Sequence, residues 1–184
     1  MQSLKGQLVI ASAQLTTPIF ARAVILMLDH NDEGAIGVIL NLPINTEITD
    51  LSGKIFEESF EWSKPLHLGG PVPGSLTVLH TMEEFADQEV IPGVFVTLEA
   101  EAVQQVIRER PEPSLVIANY SGWGPGQLEC EFDRDSWITL PATADHVFWN
   151  GDRDVWKAVM SQVNSRKLSE IIGLKSVPAD PSMN

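Results

Sequence analysis

The segment Ser121-Gly122-Trp123-Gly124-Pro125-Gly126-Gln127-Leu128-Glu129-Cys130-Glu131 constrains this chain more than any other. Three glycines and a proline stand between an apolar run and an acidic, helix-like run. Glycine reaches backbone angles closed to other residues, and proline fixes its own φ. The segment therefore reads as a shaped strand-to-helix junction, and shaped loops carry function more often than plain connections. Three chemistries are weighed against it. A Walker-type phosphate cradle needs a lysine and a hydroxyl after the last glycine. Here Gln127 and Leu128 follow, and Glu129 and Glu131 repel an anion. A nucleophile elbow needs Gly-x-Ser-x-Gly, but Asn119 stands at the first glycine position relative to Ser121. A reactive thiol needs an electropositive setting, and Cys130 lies between two glutamates. What remains is architecture, with Trp123 plugging a neighbouring groove.

Ahead of the junction the pattern is strand-like. Gln7 to Ala11 is a short apolar run, and Arg22 to Asp29 is a continuous one, as in a strand buried on both faces. A polar turn, His30 to Gly34, and a further apolar run, Ala35 to Leu42, predict an antiparallel hairpin ended by Pro43. Strands are also expected at Ser75–His80, Gly93–Leu98, Ser114–Tyr120 and Trp137–Leu140, and a capping box at Thr81–Glu84 marks a helical turn. Helices are expected at Thr49–Phe60, Glu99–Arg110, Gln127–Asp133, Asp154–Val163 and Leu168–Leu174. Helices that interleave irregularly with strand pairs argue for α+β over a doubly wound parallel sheet. A single domain, residues 1–176, is expected, with a disordered tail at 177–184.

Charge excludes a class of partners. The chain has 184 residues and a formal net charge of -13. From Thr77 to Asp135 there are twelve acids and three bases. Such a surface repels nucleic acid and anionic membrane. Cys130 is the sole cysteine, so no internal disulfide or cysteine zinc site is expected. None of His30, His67, His80 and His146 is spaced as a metal pair, and no metal or cofactor is expected. The longest apolar run, Ala23 to Leu28, is too short to span a bilayer, and no targeting segment is expected. A cytoplasmic protein is expected.

Individual residues carry two readings each. Arg22, at the start of a buried-looking strand, pairs with an acid or binds an anionic ligand. A histidine at a strand end, such as His30 or His80, is a satisfied polar cap more often than a ligand. Glu129 and Glu131 lie two apart on a helix and do not face each other.

Together these motifs resemble the YqgE/AlgH family of small bacterial proteins. The resemblance rests on Leu4–Ala11, Phe20–Val24, His30 with Gly34–Pro43, Gly69-Gly70-Pro71-Val72, Leu79-His80, Tyr120, Gly122–Glu129, Glu131 and Trp137. It runs in order over roughly residues 4 to 165. It implies a bifurcated, mostly antiparallel sheet curled into a pseudo-barrel and flanked by helices. It implies no established enzymatic activity, and the family is sometimes labelled a transcriptional regulator. Cys130, Asn119 and Ser121 depart from the usual family residues. The expected function is a non-enzymatic binding or regulatory module for a small ligand or protein partner. Its candidate site takes in Arg22, His30, Asn41, Gly69, Gly70, Trp123, Gln127 and Glu129. An enzyme on a small anionic or nucleotide-like substrate is the alternative, with Arg22 holding the anion and His30 or Glu129 as acid or base. Direct DNA binding is opposed by the charge.

Overall fold

The apolar run at 24–28 sits at the centre of a sheet whose two faces are both covered. A computed structural model describes residues 3–49, 62–149 and 154–171. Strands β1 (Gln7–Ala11), β2 (Val24–Asn31) and β3 (Gly34–Ile39) form an antiparallel meander. Successive strand side chains point to opposite faces. Val24, Leu26 and Leu28 join Leu8, Ile10 and Val38 in one core cluster, whereas Ile25 and Met27 join Val9, Ala11, Trp123 and Trp137 in another. A strand sandwiched in this way has to be apolar throughout, which explains its continuous pattern.

The remaining strands are β4 (Pro43–Glu47), β5 (Pro65–Leu68), β6 (Val72–His80), β7 (Gln88–Ile91), β8 (Val94–Thr97), β9 (Ser114–Trp123) and β10 (Trp137–Pro141). Helices α1 (Ala100–Glu109), α2 (Gln127–Phe132), α3 (Ala144–Val147) and α4 (Val155–Ile171) flank them. The sheet runs β10-β1-β2-β3-β9-β6-β8-β7, with β4 paired to β5 and β5 to β9. All of these pairs are antiparallel except β5 with β9. The sheet curls into a half-barrel, and its α+β class is the expected one.

The fork lies on β9. Its first half pairs with β6 on one side and with β5, at Ile117 and Ala118, on the other. Its last three residues, Ser121 to Trp123, pair with β3. Between the two stands Asn119 with φ 63. Asparagine and glycine tolerate this left-handed geometry best, so the position accepts Asn119 where a branched residue would strain. Gly69 stitches the branches together. Its N–H donates to the Ala118 carbonyl (2.8 Å), and its own carbonyl accepts from Ile39 N–H (3.0 Å) and Ser121 Oγ (2.9 Å). A Cβ on Gly69 would lie 2.5 Å from the Asn119 carbonyl oxygen, so the crossing requires glycine.

Several boundaries differ from expectation. Gly122 and Trp123 belong to strand β9, which shrinks the shaped junction to Gly124–Gly126. The β2–β3 ladder runs on to Asn31 and Gly34, leaving a two-residue loop in place of five. Arg22 lies outside β2, with φ 61. Pro43 opens β4, and β4, β5 and β7 have no counterpart among the expected strands. At Thr81–Glu84 there is only a 3-10 turn, Glu83–Phe85, and Met82 provides no side-chain cap. The two helices expected near the end are one, α4, because no glycine or proline interrupts residues 154–171. Most of the helix expected at Thr49–Phe60, the end of that at Leu168–Leu174, and the tail lie outside the described residues.

Candidate functional site

The Gly-Trp junction is held by one carboxylate. Glu131 Oε2, near the end of α2, accepts the indole N–H of Trp123 (3.0 Å) and of Trp137 (2.7 Å). Glu131 Oε1 accepts from Gln127 Nε2 (2.9 Å), whose Oε1 in turn accepts the Gly124 N–H (3.1 Å). Phe20 completes the aromatic cluster, with its ring centroid 6.4 Å from Trp123 and 5.6 Å from Trp137. Both tryptophans are buried. Trp123 and Gln127 are therefore engaged in closing the junction. Cys130 is exposed on the same helix.

His30 and Glu129 do meet. Leu4 N–H donates to His30 Nδ1 (3.0 Å), which leaves the proton on Nε2, 2.9 Å from Glu129 Oε1. The Glu129 carboxyl titrates below the usual carboxylate range, first through its own backbone N–H and then through His30. The same device recurs twice. Met82 N–H donates to His80 Nδ1 while His80 Nε2 bonds Thr97 Oγ1, and Thr143 N–H donates to His146 Nδ1 while His146 Nε2 bonds Gln162. A backbone amide on one ring nitrogen and a side-chain acceptor on the other is a fastening pattern, and it fits the polar-cap reading.

Arg22 lies elsewhere. Its guanidinium pairs with Asp154 and sits 5.2 Å above the Trp156 ring. Asn41 holds this corner, donating from Nδ2 to the Arg22 carbonyl (2.9 Å) and accepting Val24 N–H at Oδ1 (2.9 Å). From Val24 to His30 the strand covers roughly 20 Å at ordinary strand rise, so Arg22 and His30 serve opposite ends of β2. Gly69 and Gly70 stand at the fork, where a Cβ on Gly70 would meet the Tyr120 carbonyl oxygen at 2.3 Å. The eight expected residues thus divide among three places: Arg22 with Asn41, the two glycines at the fork, and His30, Glu129, Trp123 and Gln127 around α2.

A groove across the sheet includes none of the eight expected residues. It has a volume of about 570 Å³ and reaches from the ends of β2 and β3, across β9 and β6, to the start of β7 and the residue after β8. Leu28, Val38, Leu76 and Tyr120 line it. Two of the three exposed large hydrophobic side chains among the described residues also line it, Ile36 (45% exposed) and Leu98 (43%). Its charged lining residues, Asp29 and Asp87, are both acidic. A second concavity of about 420 Å³ shares Asp29, Ile36 and Tyr120 and adds Glu33. Tyr120 stands where the two meet. Its ring lies against Gly74 and Gly122, where a Cβ would lie 2.9 and 3.2 Å from the ring. The available signal was the chain's single tyrosine, flanked in space by glycines from two strands. Linear spacing does not reveal that pairing.

Among the described residues no helix is long and apolar enough to cross a membrane. The AlgH-like family model matches residues 8–167. A UPF0301 protein of Chlorobaculum tepidum is 38% identical over 97% of this chain and 95% of its own. One from Mycobacterium tuberculosis is 33% identical over 97% of this chain and 90% of its own. The solution structure of the AlgH protein from Pseudomonas aeruginosa superposes with a TM-score of 0.73 at 23% identity, covering 97% of each chain. A Corynebacterium diphtheriae protein superposes at 0.70 and 21% identity, covering 85% of each. The last two bear on the fold alone. With a family model spanning most of its length and relatives above 30% identity along nearly all of it, this chain belongs to the AlgH-like, UPF0301 family.

Proposed function

We propose that this chain is a non-enzymatic binding module, and that its ligand seats in the Tyr120 groove. The ligand class is an amphiphilic cation, an apolar or aromatic group beside a positive charge. One observation carries this reading: Ile36 and Leu98, both exposed, line a single apolar groove whose charged lining residues are acids. Ligand pockets are mostly apolar concavities with a few placed polar groups. The overall charge of -13 works in the same direction and disfavours a nucleic-acid partner. A cytoplasmic setting belongs to the proposal and is consistent with the single, exposed cysteine.

The enzymatic alternative requires Arg22 to hold an anion beside His30 or Glu129. Arg22 is committed to Asp154, His30 is committed to Glu129, and the length of β2 separates them. Titration with two fluorescent dyes of matched apolar body, one cationic and one sulfonated, tests the proposal. The cationic dye is expected to bind more tightly, with affinity falling as salt rises. Equal or reversed preference removes the reading.

A further inference from the structure

The Tyr120 groove carries two carboxylates, and they differ in what they have left to offer. Asp29 stands on β2 beside Leu28. Its Oδ1 accepts the His30 N–H (2.9 Å), and its Oδ2 accepts from Asn31 Nδ2 (3.1 Å). Both oxygens thus serve Asp29's own neighbours in the chain. Asp87 immediately precedes β7 and is exposed. Its Oδ2 accepts the Leu98 N–H (2.6 Å) and the Glu99 N–H (3.0 Å), and its own N–H donates to the Val96 carbonyl (3.0 Å). Among the described residues, Asp87 Oδ1 accepts no hydrogen bond and Asp87 makes no ion pair.

These backbone contacts hold Asp87 in place before any ligand arrives, which is what a binding residue needs. They also tie the acid to Leu98, whose exposed side chain lines the same groove. A charge and an apolar surface therefore sit side by side, as an amphiphilic cation requires. The free oxygen decides which cation. A carboxylate oxygen accepts about two hydrogen bonds, so Oδ2 is filled and Oδ1 keeps its full capacity. A guanidinium donates in parallel to both oxygens of one carboxylate, and its second N–H would meet the filled Oδ2. A trimethylammonium group has no N–H to give. An ammonium group is a compact charge that needs only one oxygen.

Taking the groove as the binding site proposed above, we infer that its ligand is a protonated amine whose ammonium group donates to Asp87 Oδ1. The apolar body of the amine lies on Leu98 and Ile36.

Competition against the cationic dye tests this with probes that share a phenylethyl body: 2-phenylethylamine, its trimethylammonium derivative and its guanidine derivative. In the parent protein the amine is expected to displace the dye at a concentration about tenfold below the other two. Asp87→Asn keeps an oxygen for the Leu98 and Glu99 N–H groups and removes the charge from the free position. It is expected to abolish the preference for the amine. Asp29→Asn removes an equal charge from the same groove and is expected to weaken all three probes alike, leaving the preference in place. A dye that does not bind the parent overturns the groove reading and the amine assignment together. If the dye binds and either derivative competes as well as the amine, the amine assignment alone is overturned. A preference erased by Asp29→Asn overturns the role of Asp87, and this arm decides even if Asp87→Asn folds poorly.

Discussion

Trp123 and Trp137 donate their indole N–H groups to the same oxygen, Glu131 Oε2, and their ring centroids lie 6.0 Å apart. One carboxylate thus joins the last residue of β9 to the first residue of β10 through α2. Glu131→Gln keeps the shape but presents one oxygen and one amide group to three donors. At least one N–H then faces an N–H. Urea denaturation is expected to show a loss of about 2 kcal/mol with an unchanged m-value, and a shift in tryptophan emission. A loss under about 0.5 kcal/mol would mean the indoles find other acceptors.

Stability falls on the acid side in two stages. His80 is fully buried and His67 partly so, and burial lowers both pKa values below the ordinary 6.5. A histidine whose folded pKa is depressed contributes fully above 6.5, and that contribution fades as pH falls toward the folded value. The depressed carboxyl of Glu129 adds stability above the ordinary carboxylate range and loses it at lower pH still. Urea midpoints measured from pH 8 to pH 4 should begin to fall below about 6.5. For each histidine the slope is bounded by about 1.4 kcal/mol per pH unit. A His80→Gln variant should fall less steeply between pH 6.5 and 5.

The fork at β9 makes opposite demands at neighbouring positions. Asn119 is left-handed, so Asn119→Gly is expected to stay within about 1 kcal/mol of the parent, whereas Asn119→Val should cost about 2 kcal/mol or more. Thermal denaturation of the two variants separates backbone strain from loss of the weak Asn119 Oδ1 contact to Gly74 N–H at 3.3 Å. If the two variants are equally stable, the strain account fails.

Arg22 is half exposed, and its ion pair with Asp154 is a surface one. Exposed pairs contribute about 0–1 kcal/mol. Because Arg22 has φ 61, Arg22→Gly should be at least as stable as Arg22→Ala. Neither should change binding at the Tyr120 groove. A large loss of ligand affinity in Arg22→Ala would instead restore the anion-site reading.

Much of the fold is legible in the chain because its signals are local. The doubly buried β2, the amphipathic α1 with Val103, Val106 and Ile107 inward, and the glycine-led α2 all announce themselves in sequence. The short strands β4, β5 and β7 do not: β4 finds its partner only at β5, and β7 is four residues without alternation, although it pairs with the adjacent β8. The site is harder to read for a related reason. Glycine, tryptophan and arginine draw attention as residue types, yet Trp123 and Arg22 spend their chemistry on Glu131 and Asp154. The Tyr120 groove is assembled from a few residues each of β2, β3 and β6 with Tyr120 of β9. Only the curl of the sheet brings them together.

The most direct test of the central claim is a calorimetric titration of the cationic dye into the parent and into an Ile36→Ser, Leu98→Ser double variant. Both side chains are exposed, so the variant should fold with nearly parental stability. Binding by the parent and a loss of at least about tenfold in the variant, with an unchanged urea midpoint, is the predicted result. Equal affinity in the two proteins would contradict a ligand seated in the Tyr120 groove.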